Sequence, residues 1–375
     1  MPLAGDSVVL LTAGGGYVFA DCKTGIKLRI SKANCKADSL ISSQYGALFA
    51  VAAEGKLMPA SRNILDPCAL LAGNRRMSSM HSGSNDNRYL NDDNKAQIVN
   101  PMTLRAMKTR GDSGLAIIEA LAFGSSTWGV KTKYSKTKWL KRKAKKYMPW
   151  VQVLEPTAFV LAEAYFTRMT KHKEAVRPDV IAQLLARSNT RPGSRVVVMD
   201  TFHGVVLSAV AELVGPQGKT IFSPSDLQAP MKTVSKADVH CMGQRASLPK
   251  VINLKTRNAE AADVIQNCEI APRLQHFPSK VDALVLASGH EPLSILKTLL
   301  PLLRVGGSFV IYSEHIEPLT RVFIWLRVSK AAVNLRLTEV WQREFQVLTS
   351  CSHPAMTTSG NAGYILSAMK IPERV

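Results

Sequence analysis

The chain has 375 residues, which at roughly 100 to 200 residues per domain leaves room for two or three domains and excludes a miniprotein. Lys and Arg number 48 against 28 Asp and Glu, a formal charge of +20, while 46% of residues are apolar, so the chain folds and is expected to meet polyanions. The six cysteines (Cys22, Cys35, Cys68, Cys241, Cys268 and Cys351) are widely spaced with no C-x-x-C, which argues against a zinc site or disulfide framework and for reduced, intracellular thiols.

No apolar run approaches the ~18 residues needed to span a bilayer, so no membrane partner is expected. Val8 to Ala20 has no Lys or Arg ahead of it and reads as a hairpin around Thr-Ala-Gly-Gly-Gly, not as a secretory signal. Ile26–Ser31 alternates strictly and Ala47–Ala52 is a further β-patterned run, which together suggest a small β-barrel-like N-terminal domain over residues 1–75. Residues 76–154 are expected to be a linker with short helices and a basic segment, polar at Met77–Arg88 and helical at Pro101–Thr109 and Leu115–Phe123.

The strongest compositional signal follows. Lys131, Lys133, Lys136, Lys138, Lys141, Arg142, Lys143, Lys145 and Lys146 place nine positive charges in sixteen residues with no acid, and Tyr134, Trp139 and Tyr147 are interleaved. Such a run reads as a phosphate-binding surface whose aromatics can stack on unpaired bases. A solvated helix face or a nuclear localisation signal is the competing reading.

From residue 155 to 375 the pattern becomes α/β. Helices are predicted at Thr157–Arg168, Pro178–Ser188, Gly204–Val214 and Pro292–Leu303, and strands at Arg195–Asp200, Lys219–Phe222, Val281–Ala287 and Gly307–Tyr312. This alternation implies a doubly wound sheet, with Glu344–Leu348 and Gly363–Met369 as an antiparallel edge pair.

In such a sheet the turn after the first strand carries glycines for close approach to a nucleotide-type cofactor. Here it reads Asp200-Thr-Phe-His-Gly204, with one glycine and two side chains where a ligand would lie. The strand at Val281 runs into Ala287-Ser-Gly-His-Glu291, where His290 or Glu291 is a conceivable base. The histidines show no metal-ligand spacing, and no G-x-S-x-G occurs. No catalytic, cofactor-binding or metal site is therefore assigned.

These residues together resemble the non-catalytic subunits of the eukaryotic tRNA (adenine-58-N1)-methyltransferase. The likeness includes Ser43-Gln-Tyr-Gly46, Asp86-Asn-Arg88 with Asp92-Asp93, the basic run ending at Tyr147, and Pro156 before a helix. Its most specific part is C-terminal: Val333 to Trp341, Phe345-Gln-Val-Leu348, Ser352-His-Pro354 and Ser359 to Ser367. The segment from about Pro224 to Lys280 matches the family poorly.

The resemblance implies a C-terminal class I methyltransferase-like (Rossmann-like) domain, a catalytic paralogue as partner in a heterodimer assembling to a heterotetramer, and tRNA as ligand; a nuclear location is expected as well. S-adenosylmethionine is expected only on the partner. In the catalytic paralogue the corresponding turns carry a glycine-rich loop and an Asp-Leu-Pro motif, where this chain has Thr201-Phe-His203 and Ala287-Ser-Gly289. The expected tRNA contacts are the nine basic residues above with Arg336 and Arg343 in second rank, either of which could pair with Glu339 or Glu344. Trp341, Phe345 and Tyr364 are interface candidates, with burial in the core as the other reading of the first two. An independent RNA-binding protein and an active methyltransferase with a divergent site remain as alternatives.

Overall fold

The computed structural model describes residues 1–30, 33–52, 55–66, 96–169, 175–215, 219–223, 252–253, 280–348, 351–356 and 360–372. The chain divides into two compact units, Met1–Glu155 and Pro156–Val375.

In the first unit, β1 (Ser7–Thr12) and β2 (Tyr17–Asp21) form the expected hairpin. A second hairpin joins β3 (Lys27–Ile30) to β4 (Ala33–Lys36). β5 (Leu48–Val51) and β6 (Leu57–Ala60) follow. β7 (Trp150–Leu154) lies between β1 and β5, completing an antiparallel sheet of order β2-β1-β7-β5-β6. The inward residues Val8, Leu10, Phe49, Val151 and Val153 meet Leu28, Ile30 and Cys35 of the second hairpin in one core. Burial raises the thiol pKa values of Cys22 and Cys35, the former to about 11, so both stay protonated.

The three-part division expected from sequence changes at this point. Trp150–Leu154, assigned to the linker, is a central strand, because Val151 and Val153 alternate inward and can be buried only by pairing with β1 and β5. The expected boundary at 75/76, the loop Met77–Arg88, and the family residues Asp86–Arg88 and Asp92–Asp93 lie outside the described residues.

The same unit carries α1 (Pro101–Thr109), α2 (Gly114–Phe123) and α3 (Lys133–Tyr147). Each begins on a side-chain cap: Asn100, Ser113 and Thr132 accept from the backbone N–H groups of Thr103, Ala116 and Ser135. A small core of Ile118, Ala122, Trp128, Leu140 and Ala144 joins α2 to α3. A Cβ at Gly114 would lie 2.1 Å from the Tyr147 carbonyl oxygen, so glycine is what lets the two helix ends meet.

The second unit opens with α4 (Ala158–Met169) and α5 (Pro178–Ser188), then β8 (Arg195–Asp200), α6 (Val205–Val214), β9 (Lys219–Ser223) and β10 (Ile252–Asn253). β11 (Val281–Ala287), α7 (Pro292–Leu299), β12 (Leu303–Ser313) and α8 (Ile316–Ser329) come next. β13 (Ala332–Trp341), β14 (Phe345–Leu348), β15 (Cys351–Pro354) and β16 (Asn361–Lys370) end the chain. The main sheet has the order β10-β9-β8-β11-β12-β16-β13, parallel through β12, with β16 inserted antiparallel between β12 and β13.

One face of this sheet (Val197, Met199, Leu284, Leu286, Phe309, Ile311, Leu366) is buried under α7 and α8. Burying each such side chain fully contributes about 1.5–3 kcal/mol. The alternate residues Val196, Val198, Ala283, Val285 and Val310 are buried too, and α5 packs over β11 and β12. The fold is the doubly wound one expected.

Three details differ from the sequence reading. Helix α7 stops at Leu299, because Pro301 cannot donate to an α-helical turn and a 3-10 turn takes over at Leu300–Leu302. Gly363–Met369 pairs with β12 and β13, not with the strand at 345–348, which forms its own hairpin with β15. Helix α8 was absent from the sequence reading. Of the segment from Pro224 to Lys280, only 252–253 and 280 are described.

Candidate functional site

Helix α3 sorts the basic run by face. Lys136, Leu140 and Ala144 recur every four residues and all are buried, so this stripe faces the small core. Lys136 is thereby turned inward: its ammonium donates to the Gly129 carbonyl at 3.2 Å and sits 6.0 Å from the Trp128 ring centroid. Burial lowers its pKa. Lys143 is half-buried, with Nζ 5.3 Å from the Trp139 ring centroid, and desolvation together with Lys146 and Arg142 lowers its pKa as well. Lys131 is half-buried, and the side chain of Lys133 lies outside the described residues.

Lys138, Lys141, Arg142, Lys145 and Lys146 are exposed on the outer face. Five exposed cations on one face, in a helix with no acid, form an electropositive surface. Two of the three interleaved aromatics, Trp139 and Tyr147, are engaged within the protein. Trp139 packs on Trp128 at 4.8 Å between centroids, and Tyr147 is half-buried against the small core, so both serve as packing and as seats for lysines.

The second-rank cations lie in the other unit. Arg336 and Arg343 are exposed, and among the described residues neither forms an ion pair within 4.0 Å; Glu339 instead accepts from Asn361 Nδ2 at 2.8 Å. Arg336 acts electrostatically on half-buried Arg187, whose pKa is lowered first by burial and then by that neighbouring charge.

At the carboxyl ends of β8 and β11, where an open α/β sheet binds its ligand, side chains fill the turn. Phe202 is buried edge-on against Tyr312, with centroids 5.5 Å apart, and His203 is stacked on Tyr165 at 4.9 Å. His203 adopts φ +59°, a left-handed conformation unusual for its type. The buried Asp200 carboxylate accepts from Phe202 N–H at 2.6 Å and Leu207 N–H at 2.9 Å, so it organises the turn from within. Burial raises its pKa to about 6 against these bonds. Across the two strand ends Thr201 N–H donates to the Ala287 carbonyl and Gly289 N–H donates to Thr201 Oγ1, both at 3.0 Å. Glu291 is spent as the cap of α7, accepting from Ser294 N–H at 3.0 Å.

Of the interface candidates, Trp341 ends the edge strand β13, Phe345 opens β14 in the separate two-stranded sheet, and Tyr364 lies on β16 between β12 and β13. Trp341 is 61% exposed and Phe345 54%, which removes the core reading for both; Tyr364 is partly buried, its hydroxyl accepting from Asn361 Nδ2 at 3.3 Å. Val347 and Met356 extend the exposed apolar surface. A turn of close contacts sets this edge. Arg177 holds Asp179 through two bonds and donates to the Gly360 carbonyl, and Tyr312 Oη donates to the Ala362 carbonyl at 3.0 Å. Gly363, at φ +93°, has Tyr312 and Ser313 where a Cβ would lie.

Among the described residues no three His, Cys, Asp or Glu side chains are placed to hold a metal ion, and no helix is long and apolar enough to cross a membrane.

Residues 3–285 match the Gcd10p family. The Dictyostelium discoideum protein named tRNA (adenine(58)-N(1))-methyltransferase non-catalytic subunit trm6 is 28% identical, covering 99% of this chain and 80% of that protein. The Mus musculus protein of the same name is 26% identical over 89% of this chain and 81% of its own length. Among solved structures, a SAM-dependent O-methyltransferase from Thermotoga maritima superposes with TM-score 0.56 at 13% identity, covering 99% of this chain and 95% of that one. The tRNA (m1A58) methyltransferase TrmI of Aquifex aeolicus gives TM-score 0.50 at 11% identity, covering 99% and 98%. At these identities the two structures speak to the fold alone, a class I methyltransferase fold.

Proposed function

The chain belongs to the Gcd10p family, and from that premise we propose that it is the non-catalytic, tRNA-binding subunit of a tRNA methyltransferase forming 1-methyladenosine at position 58. Its relatives in Dictyostelium and mouse carry that name. The observation that carries the reading is the turn at Asp200–Gly204, where Phe202 and His203 occupy the space that a cofactor of this fold needs.

The residues present support a chain that leaves S-adenosylmethionine to its partner. Glycines that would admit the ligand's backbone contacts are replaced by buried aromatic rings, and the carboxylates at the two strand ends, Asp200 and Glu291, are engaged with backbone N–H groups. We therefore assign cofactor and methyl transfer to a catalytic paralogue, and to this chain the roles of assembly and tRNA binding. The exposed Trp341 at the end of β13 and Phe345 at the start of β14 support a protein contact there, in a heterodimer that assembles to a heterotetramer. The exposed face of α3 supports phosphate binding, and its lysine run supports entry to the nucleus. The common core of the five-stranded sheet and the β3–β4 hairpin supports a barrel-like N-terminal unit.

Calorimetric titration of the isolated chain with S-adenosylmethionine tests the first assignment: no binding heat is expected, and a micromolar dissociation constant would overturn it. Co-expression with the catalytic paralogue tests the second, since a chain that purifies as a stable monomer beside that partner has no such interface.

A further inference from the structure

We propose that helix α1 is a second phosphate-contact element, continuous with the outer face of α3 and joined to it at Tyr147. The proposal rests on the reading of α3 as an RNA surface and extends it to residues that no part of the basic run contains.

Helix α1 has no buried residue, and only Leu104 and Met107 are even half-buried. Most helices in folded proteins are held by an apolar face packed on a core, so a helix capped by Asn100 and left this open is poorly explained as core. Its charge is one-sided. Arg105 and Lys108 are exposed at i and i+3 with no acid in the helix, whereas Arg110, just beyond it, is neutralised by Asp112 through its Nε at 2.9 Å.

Position ties α1 to α3. Lys108 Nζ lies 5.4 Å from the Tyr147 ring centroid, and Lys146 Nζ lies 5.2 Å from the same centroid. One aromatic ring thus collects an ammonium from each helix, an attraction that partly offsets their mutual repulsion but leaves both charges to be balanced from outside. Residues 101–147 hold twelve Lys and Arg against two acids, Asp112 and Glu119. A polyanion laid across Tyr147 would meet Arg105 and Lys108 on one side and Arg142, Lys145 and Lys146 on the other.

The test uses the assembled complex and an unmodified tRNA transcript as probe, with affinity measured across a salt series. Arg105→Gln/Lys108→Gln changes two exposed side chains to one of similar helix propensity, so the fold is kept. Loss of two phosphate contacts is expected to lower the slope of log affinity against log salt by about 1.4 to 1.8. It should add to the loss in a variant of the α3 outer face, and Arg110→Gln should leave the slope in place. An unchanged slope in the α1 variant beside a flattened one in the α3 variant overturns the proposal alone. Unchanged slopes in both remove the α3 reading with it. Loss of assembly with the paralogue at an unchanged slope would make α1 a protein contact, which also overturns the proposal.

Discussion

Replacing Lys138, Lys141, Arg142, Lys145 and Lys146 together with Gln removes the exposed outer face of α3 while sparing the side chains that pack inward. Gln has nearly the helix propensity of Lys and Arg, and no side chain in the set is buried, so the small core of Ile118, Trp128, Leu140 and Ala144 should be unaffected. Each phosphate neutralised contributes about 0.7 to 0.9 to the slope of log affinity against log salt. Five contacts therefore account for about 3.5 to 4.5 units, and between roughly 50 and 200 mM salt for a loss of about 100- to 500-fold in wild-type affinity that the variant no longer shows. Filter binding of tRNA to the complex over that range reads the slope directly, and size-exclusion chromatography checks that assembly is intact. A variant whose slope stays within one unit of wild type would refute the reasoning, because an exposed, acid-free face that meets phosphate cannot lose five charges without that signature.

Other outcomes follow from the same geometry. Lys136→Met should leave the salt slope unchanged and lower the stability of the first unit by about 1 kcal/mol, the worth of the bond to the Gly129 carbonyl, in a denaturant titration. Trp341→Ala/Phe345→Ala should alter the stability of the isolated chain by no more than about 0.5 kcal/mol, since both side chains are exposed, yet weaken association with the catalytic paralogue by about 2 kcal/mol or more. Equal effects on folding and assembly would return both residues to the core. For Asp200, burial raises the folded pKa from 3.8 to about 6, so the folded state holds the proton more tightly than the unfolded. The stability this lends is full below 3.8 and lost as pH rises through about 6, a swing of about 3 kcal/mol in the limit. Asp200→Asn should lack that pH dependence, and parallel unfolding profiles from pH 4 to 7 would disprove the linkage.

What was legible in the sequence depended on how local the determining pattern is. Arg195–Asp200 and Val281–Ala287 are uninterrupted apolar runs of strand length, and their ends coincide with β8 and β11 because both faces of a central parallel strand are buried. Pro178 fixed the start of α5 for an equally local reason. The C-terminal pairing was not legible. β16 lies between β12 and β13, and only tertiary packing of Leu366 and Ala368 under α8 selects those neighbours over the nearer strand at 345–348. Helix α8 carries Pro318 close to its start, which the first turn of a helix tolerates although proline inside a helix breaks it. In the basic run, composition hid periodicity: nine similar charges look uniform, yet the spacing of Lys136, Leu140 and Ala144 already marks the one lysine that turns inward. Lys108 lies 23 residues upstream of the run and meets the Tyr147 ring across the fold, a contact that no local pattern signals.

The filled crevice and the exposed edge are one structure. Phe202 packs against Tyr312, the Tyr312 hydroxyl holds the Ala362 carbonyl, and two residues earlier Gly360 lies so close to Trp341 that a Cβ would come within 2.5 Å of the indole nitrogen. Arg177, pinned by Asp179, holds the same Gly360 carbonyl, to which Gln342 N–H also donates. Phe202 is therefore linked, through its ring contact with Tyr312 and that residue's hydroxyl, to the turn beside Trp341. An enzyme of this fold must keep that crevice open for its ligand, so the ligand space cannot be used to buttress the sheet edge. A subunit without that obligation can pack the crevice, and here the packing runs from Asp200 through Phe202 and Tyr312 to the turn beside the exposed Trp341.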